Sequence, residues 1–257
     1  MKIVTLFVTH QNILWNLVNK NLRIKYAGSV LGMLWAFINP LLLALIISFV
    51  FTNIFKVSSE DFYLFILSGM LPWTFFSGAL QESALSIPVN AAVLKQFPLP
   101  REIIPVSVVL VNFIIFLLGL IAVSPLFIMI YPAIVFRLPL LLAALVLLFL
   151  FTLGFSLLLS AVCVHFRDIT HILNTFLTFW LWLTPIFYFP DIIPDKYRII
   201  VAANPFQPYL VLFRGALLER SLWSIHVLLT GILFSLLALG IGAWVFFNKK
   251  DSFIQRI

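Results

Sequence analysis

The sequence predicts an all-α membrane protein with six transmembrane helices, an amphipathic interface helix at its N-terminus and a re-entrant or interfacial helical pair between spans five and six. Three observations predict it. Hydrophobic side chains make up 63% of the 257 residues and charged ones 10%, where a soluble domain carries about a quarter charged; mean hydropathy is +1.15. Six intervals are free of charge, 26–55, 62–81, 103–136, 138–166, 169–190 and 221–248, with lengths of 30, 20, 34, 29, 22 and 28 residues, and a bilayer-spanning helix needs roughly 20. The cations divide unequally between the connecting segments. Lys2, Lys20, Arg23, Lys25, Lys95, Arg101, Arg167, Lys249, Lys250 and Arg256 fall on one side, and Lys56, Arg137, Lys196, Arg198, Arg214 and Arg220 on the other. The richer side is the cytoplasmic one, which places both termini there.

Residues 1–25 form the first element. On a helical wheel Thr5, Thr9, Asn12, Asn16, Asn19, Lys20 and Arg23 share one arc, with Ile3, Phe7, Leu14, Val18 and Leu22 opposite. This is the pattern of a helix lying in the membrane interface, its Lys20, Arg23 and Lys25 near anionic headgroups. His10, Gln11, Asn12 and Asn16 interrupt any apolar signal-peptide core, and no small-residue cleavage site follows.

Residues 26–257 form the transmembrane domain, with spans near 30–55, 62–80, 106–131, 140–164, 172–189 and 224–247. Asn39-Pro40, Pro72, Pro125 and Thr184-Pro185 lie in or beside these runs as candidate kinks. Gly28 and Gly32 have the spacing that lets helices approach closely. The outer segment 191–220 contains a charge-free stretch, 199–213, too short to span and interrupted by Asn204-Pro205 and Gln207-Pro208. It reads as an external gate segment of the re-entrant kind, or as an ordinary loop with one surface helix.

Several chemistries are excluded or weakly supported. None of the ten glycines precedes a lysine, so the phosphate cradle of an ATPase is missing. Gly154-Phe-Ser156 lacks the second glycine of a nucleophile elbow. Cys163, His165 and His171 are too few and too loosely spaced for a metal centre. The spans lack the buried charge pairs that mark proton relays and many coupled carriers, so any energy input would have to come from elsewhere.

The run Lys25-Tyr26-Ala27-Gly28-Ser29-Val30-Leu31-Gly32-Met33-Leu34-Trp35-Ala36-Phe37-Ile38-Asn39-Pro40 resembles the start of type-2 ABC exporter permeases. Further segments agree in order: Tyr63 with Ser68-Gly69-Met70-Leu71-Pro72-Trp73; Asn90 with Lys95 and Phe97-Pro98-Leu99-Pro100-Arg101-Glu102; Phe166-Arg167-Asp168-Ile169; Thr184-Pro185-Ile186; and Asn204-Pro205 followed by Arg214. The match covers nearly the whole chain and is most similar to the branch exporting bacterial polysaccharides, O-antigen permeases first, with capsule and teichoic acid permeases close by. It departs where Pro98-Leu99 separates Phe97 from the Pro-Arg-Glu element.

The resemblance implies a homodimer in the bacterial inner membrane, joined to two ATP-binding subunits that hold the ATP and Mg2+, with no cofactor on this chain. It implies a cytoplasmic coupling segment, 86–102, engaging the ATPase through Ile87, Leu94, Lys95, Phe97, Arg101 and Glu102, with Ile87-Pro88 opening its short helix. Arg23, Lys25, Tyr26, Arg167 and Asp168 are placed at the cytoplasmic portal, where the lipid head group of a lipid-linked polysaccharide arrives. Sugar rings present flat C–H faces to aromatic side chains, so Trp35, Phe37, Phe176, Phe179, Trp180, Phe187 and Tyr188 are candidates to line the channel. Aromatic core packing and interfacial belts explain most of the 28 Phe. A type-2 exporter of drugs or lipids, and a membrane-embedded lipid-processing enzyme, are the alternative readings.

Overall fold

The computed structural model describes residues 10–54, 56, 61–97, 99–166, 168–218 and 223–253, with the side chains of all these but 36 and 37. Among the described residues every regular element is a helix, without strands.

Helix α1, Gln11–Lys25, buries Leu14 and Val18, four residues apart on its apolar face. The first nine residues of the expected amphipathic arc lie outside the described residues. A turn with Gly28 at φ +74° and Gly32 at φ +52° leads through a 3-10 turn, Gly32–Leu34, into α2, Trp35–Asn53. A side-chain-bearing residue is disfavoured in this left-handed backbone. Among the described residues no atom beyond their chain neighbours lies within 4 Å of where a Cβ on either glycine would sit, so within this chain the pair serves the turn.

Then follow α3, Phe62–Val89; α4, Ala91–Gln96; and α5, Ile103–Ile130. A 3-10 turn, Pro132–Arg137, precedes α6, Leu138–Cys163, and α7 covers Ile169–Leu183. Last come α8, Asp195–Ala202; α9, Gln207–Leu217; and α10, Ile225–Lys249, which closes on a 3-10 turn, Lys250–Ser252.

Helix α3 is the centre of the bundle, with 18 of its 28 residues buried. Phe76, fully enclosed, meets Phe151 of α6 at 5.4 Å and Trp180 of α7 at 5.2 Å between ring centres. Helices α6 and α10 make the tightest crossing: a Cβ on Gly154 would run into the backbone of Ala238, and one on Gly242 into the Gly154 carbonyl. Apolar surface drives no association within lipid, so such backbone-to-backbone packing is what holds the helices together.

Among the described residues five segments are long and apolar enough to cross a membrane: Gly32–Asn53, Phe62–Val89, Ile103–Ile130, Pro132–Cys163 and Ile225–Ser252. The expected fifth span differs. Its helix has 15 residues, about 22 Å at 1.5 Å each, because Pro185 forces Thr184 into extended backbone at φ −91°, ψ 128°. Pro40, Pro72 and Pro125, in contrast, sit inside helices that continue through them. The second span runs past Glu82 to Val89, so Ile87-Pro88 ends α3 and does not open the coupling helix, which starts after Asn90.

The two arms of the 191–220 segment are unlike. Helix α8 has no buried residue, whereas nine of the 11 residues of α9 are buried among α3, α6 and α10. At the end of the bundle beside α9, Arg137 donates to the carbonyls of Gly215 and Leu218 at 3.2 and 2.9 Å, and Tyr131 donates to Asp61 at 3.0 Å. The opposite end, here called the basic end, gathers α1, α4, the start of α5 and the C-terminal turn.

Candidate functional site

At the basic end a cavity of about 390 Å3 opens between α1, α2, α3 and α5. Each wall follows from helical spacing. Trp35 and Asn39, one turn apart on α2, face Thr74, Gly78 and Glu82, one stripe of α3, and Asn112 of α5 closes the floor. Lys25, from the last turn of α1, lies 2.7 Å from Glu82 Oε1 and donates to Asn112 Oδ1 at 2.9 Å. Asn112 in turn donates to Glu82 Oε2 at 2.8 Å and to the Val108 carbonyl at 3.0 Å. The three side chains form a closed ring joining three helices.

The side chains of Lys25 and Glu82 are 32% and 43% exposed, so the ion pair alone is worth about 0–1 kcal/mol. Buried Asn112 matters more, since its amide would be costly unpaired in an apolar helix. Tyr26 also borders the cavity; burial first, and then the Glu82 carboxylate, push its phenol above the ordinary range.

The sequence-selected portal residues separate here. Lys25 and Tyr26 join the cavity with Trp35. Arg23 is exposed on α1, Asp168 is exposed just ahead of α7, and Arg167 lies outside the described residues, as does the side chain of Phe37. Glu82, Asn39 and Asn112 were not among the sequence-selected residues. The available signal was Asn112 itself, the sole amide between Glu102 and Arg137.

The aromatic candidates also divide. Phe176 and Phe179 of α7 are 55% and 67% exposed, while Trp180 and Phe187 are 7% and 3% exposed, inside the bundle. The half-buried Tyr188 donates to the Trp182 carbonyl at 3.1 Å. Trp180 donates to Asn204 Oδ1 at 2.7 Å; Asn204 donates to Thr184 Oγ1 at 2.8 Å and accepts from the Phe206 amide at 2.9 Å. This buried network fixes the end of α7 against the turn before α9. Next to it the Arg214 guanidinium lies 3.6 Å over the Phe65 ring and donates to the Ile186 carbonyl at 3.2 Å.

The outward face of α7 is mixed in chemistry. His171, Asn174, Thr175 and Thr178 are exposed beside Phe176, Phe179 and Trp182. Exposed Thr74, Gln81 and Leu85 continue the strip on α3, and a smaller cavity of about 260 Å3 bounded by Gln81, Glu82, Thr170 and Asn174 joins the two helices. A helix meant only for lipid contact would not present four polar side chains outward.

In the 86–102 segment, Ile87 and Leu94 are buried, Lys95 is exposed, and Phe97 is 56% exposed. Arg101 bonds the Lys250 carbonyl and lies 3.2 Å from Asp251, and buried Glu102 lies 4.0 Å from the Lys250 ammonium. Ser252 approaches His165 Nε2 at 3.3 Å, and Phe253 is fully enclosed near Phe246 at 5.4 Å. The C-terminal turn therefore ties the start of α5 to the corner between α6 and α7.

Comparison with known proteins matches residues 13–218 to the ABC-2 type transporter family. An O-antigen export system permease protein RfbA of Klebsiella pneumoniae is 31% identical over 241 residues, 91% of this chain and 90% of that protein. A second protein of the same name and organism is 31% identical over 242 residues, with the same coverage of each chain. A relative of that name from Myxococcus xanthus is 28% identical over 263 residues, 100% of both chains.

Proposed function

The chain belongs to the ABC-2 type transporter family, and from that premise we propose that it is the transmembrane subunit of an ATP-driven exporter of lipid-linked polysaccharide, of the O-antigen kind. The relatives named as O-antigen export permeases support the cargo class. The observation that carries the reading to a mechanism is the outward strip of α7 and α3, where hydroxyl and amide groups alternate with exposed rings. Such a strip offers a sugar chain hydrogen bonds and flat apolar faces without a fixed register, so successive units can slide past. A greasy flank open to lipid would not need the polar half.

Permeases of this family work with ATP-binding subunits, and the ATP with its Mg2+ resides there. Two copies of this chain, each with its α7 strip turned toward the other, enclose the channel in our reading. Trp35, Phe176, Phe179 and Tyr188 line it, whereas Trp180 and Phe187 shape it from behind. The fifth crossing is completed by α7 together with the turn residues 184–189. The basic end faces the cytoplasm, following the cation asymmetry, and α1 rests on the inner-membrane surface. Exposed Arg23 and Asp168 border the portal used by the lipid head group. Phe97 and Lys95 meet the ATPase, and buried Leu94 holds that contact against the end of α3, where Ile87 is also buried.

The test is a clean deletion of the gene with plasmid complementation, reading surface polysaccharide and cytoplasmic lipid-linked polymer. The proposal expects loss at the surface and accumulation inside, both restored by the intact gene. Unchanged surface polysaccharide with altered tolerance to drugs would favour the drug-exporter alternative and refute this one.

A further inference from the structure

We propose that the cavity bounded by the Lys25–Glu82–Asn112 ring is a carbohydrate subsite that holds a sugar ring of the cargo at the threshold of the channel, not its anionic diphosphate. The inference rests on the polysaccharide reading above and locates the first sugar contact within the chain.

Charge balance is the first ground. A diphosphate site needs uncompensated cations and donors, with no carboxylate facing the ligand. Here the Lys25 ammonium lies 2.7 Å from Glu82, whose second oxygen accepts from Asn112 at 2.8 Å. A diphosphate in this cavity would meet a carboxylate beside Lys25, the one cation lining it among the described residues, and the like charges repel. Among the described residues of α1, Lys20 and Arg23 are exposed and available to an anionic head group.

The remaining hydrogen-bonding capacity is the second ground. Lys25 has three ammonium protons and directs two of them to Glu82 and Asn112, which leaves one for a ligand. Each oxygen of Glu82 accepts one bond within the ring and has a further lone pair to offer. One donor beside one acceptor matches a vicinal diol, in which one hydroxyl accepts from Lys25 and its neighbour donates to Glu82. Asn39, exposed on α2, supplies an amide that does either.

Shape is the third ground. Trp35 is 41% exposed and borders the cavity, offering an indole face for the C–H side of a pyranose. Tyr26 adds a phenol whose proton is retained under burial and beside Glu82. The volume of about 390 Å3 lies within the roughly 300–1,000 Å3 usual for small-ligand clefts.

The experiment uses the full-length permease with its ATPase partner in lipid nanodiscs, and saturation-transfer NMR with methyl glycosides of glucose, galactose and mannose as probes. Inorganic pyrophosphate is the competing probe. We expect transfer to the ring protons of at least one glycoside, binding about tenfold weaker in Glu82→Gln and in Trp35→Ala, and no displacement by pyrophosphate. Trp35→Ala leaves the three-residue ring in place, so its result stands even where Glu82→Gln impairs folding. Absence of transfer from all three glycosides, binding unchanged in Trp35→Ala, or displacement by pyrophosphate would overturn the proposal. ATP-driven polymer transport is measured on the same wild-type preparation. Transport without glycoside binding overturns only the subsite, whereas absence of transport contradicts the polysaccharide reading itself.

Discussion

Replacing Asn204 with Ala should loosen the end of α7 by an amount that follows from its three bonds. The amide accepts from Trp180 Nε1 at 2.7 Å and from the Phe206 amide at 2.9 Å, and donates to Thr184 Oγ1 at 2.8 Å. All four residues are buried, so truncation leaves the indole and the Phe206 amide without their acceptor. An orphaned buried donor costs about 1–3 kcal/mol. Side-chain hydrogen bonds between membrane helices average only about 0.6 kcal/mol, because the unfolded chain in lipid finds other partners. Three bonds at that lower value give about 2 kcal/mol, and two orphaned donors at the higher value give up to about 6.

The assay is unfolding of the purified chain in mixed micelles by a denaturing detergent, followed by tryptophan fluorescence. Asn204→Ala should lose at least about 2 kcal/mol. Thr184→Val, which removes one acceptor and keeps the side-chain volume, should lose about 1 kcal/mol, and the double variant should lose less than the sum because the residues share a bond. A loss below about 0.5 kcal/mol for Asn204→Ala, or strict additivity, would refute the network as the support of this helix end.

Other outcomes follow from the same structure. Gly242→Ala puts a methyl group into the Gly154 carbonyl and should abolish stable folding, read as loss of monodisperse protein on size exclusion; wild-type yield and stability would contradict the α6–α10 crossing. Phe179→Ala, at a ring 67% exposed, should reduce polymer export several-fold with stability within about 0.5 kcal/mol, whereas Trp180→Ala should lower stability as well. Equal behaviour of the two would remove the distinction between lining and packing. Phe97→Asp, at an exposed position next to α4, should break the polymer dependence of ATP hydrolysis or the attachment of the ATPase while leaving the permease folded; full export would place the coupling contact elsewhere.

The charges were the readable part of the fold. They marked the helix ends well because moving an unpaired charge to mid-membrane is costly, and that rule misplaced one boundary for a physical reason. Glu82 did not end the second span, since Lys25 and Asn112, from two other helices, satisfy its carboxylate and α3 continues to Val89. A partner 57 residues away in sequence is invisible to local spacing. The prolines tell the same story. Pro185 breaks its helix where Thr184 and Asn204 take up the freed geometry, whereas Pro72 lies within a continuous α3.

The resemblance supplied Lys25, Trp35, Thr184, Asn204 and Arg214 as strings in order. Their meeting in two places, the basic-end cavity and the network behind α7, required the fold. Composition alone could not sort the aromatic residues, because a ring in the core and a ring on the channel wall have the same hydropathy. Burial separated Trp180 from Phe179, its neighbour in sequence. Gly154 and Gly242 carried no sequence signal at all, since what they permit is an approach between helices distant along the chain.

The most direct measurement is ATP-driven transfer of lipid-linked polysaccharide into the lumen of proteoliposomes that contain this chain and its ATP-binding partner, scored by protection of the polymer from an added glycosidase. The proposal predicts protection that requires ATP, Mg2+ and both subunits, and that falls several-fold with Phe179→Ala. Polymer left fully accessible by a complex that hydrolyses ATP, or protection achieved by the partner without this chain, would contradict it.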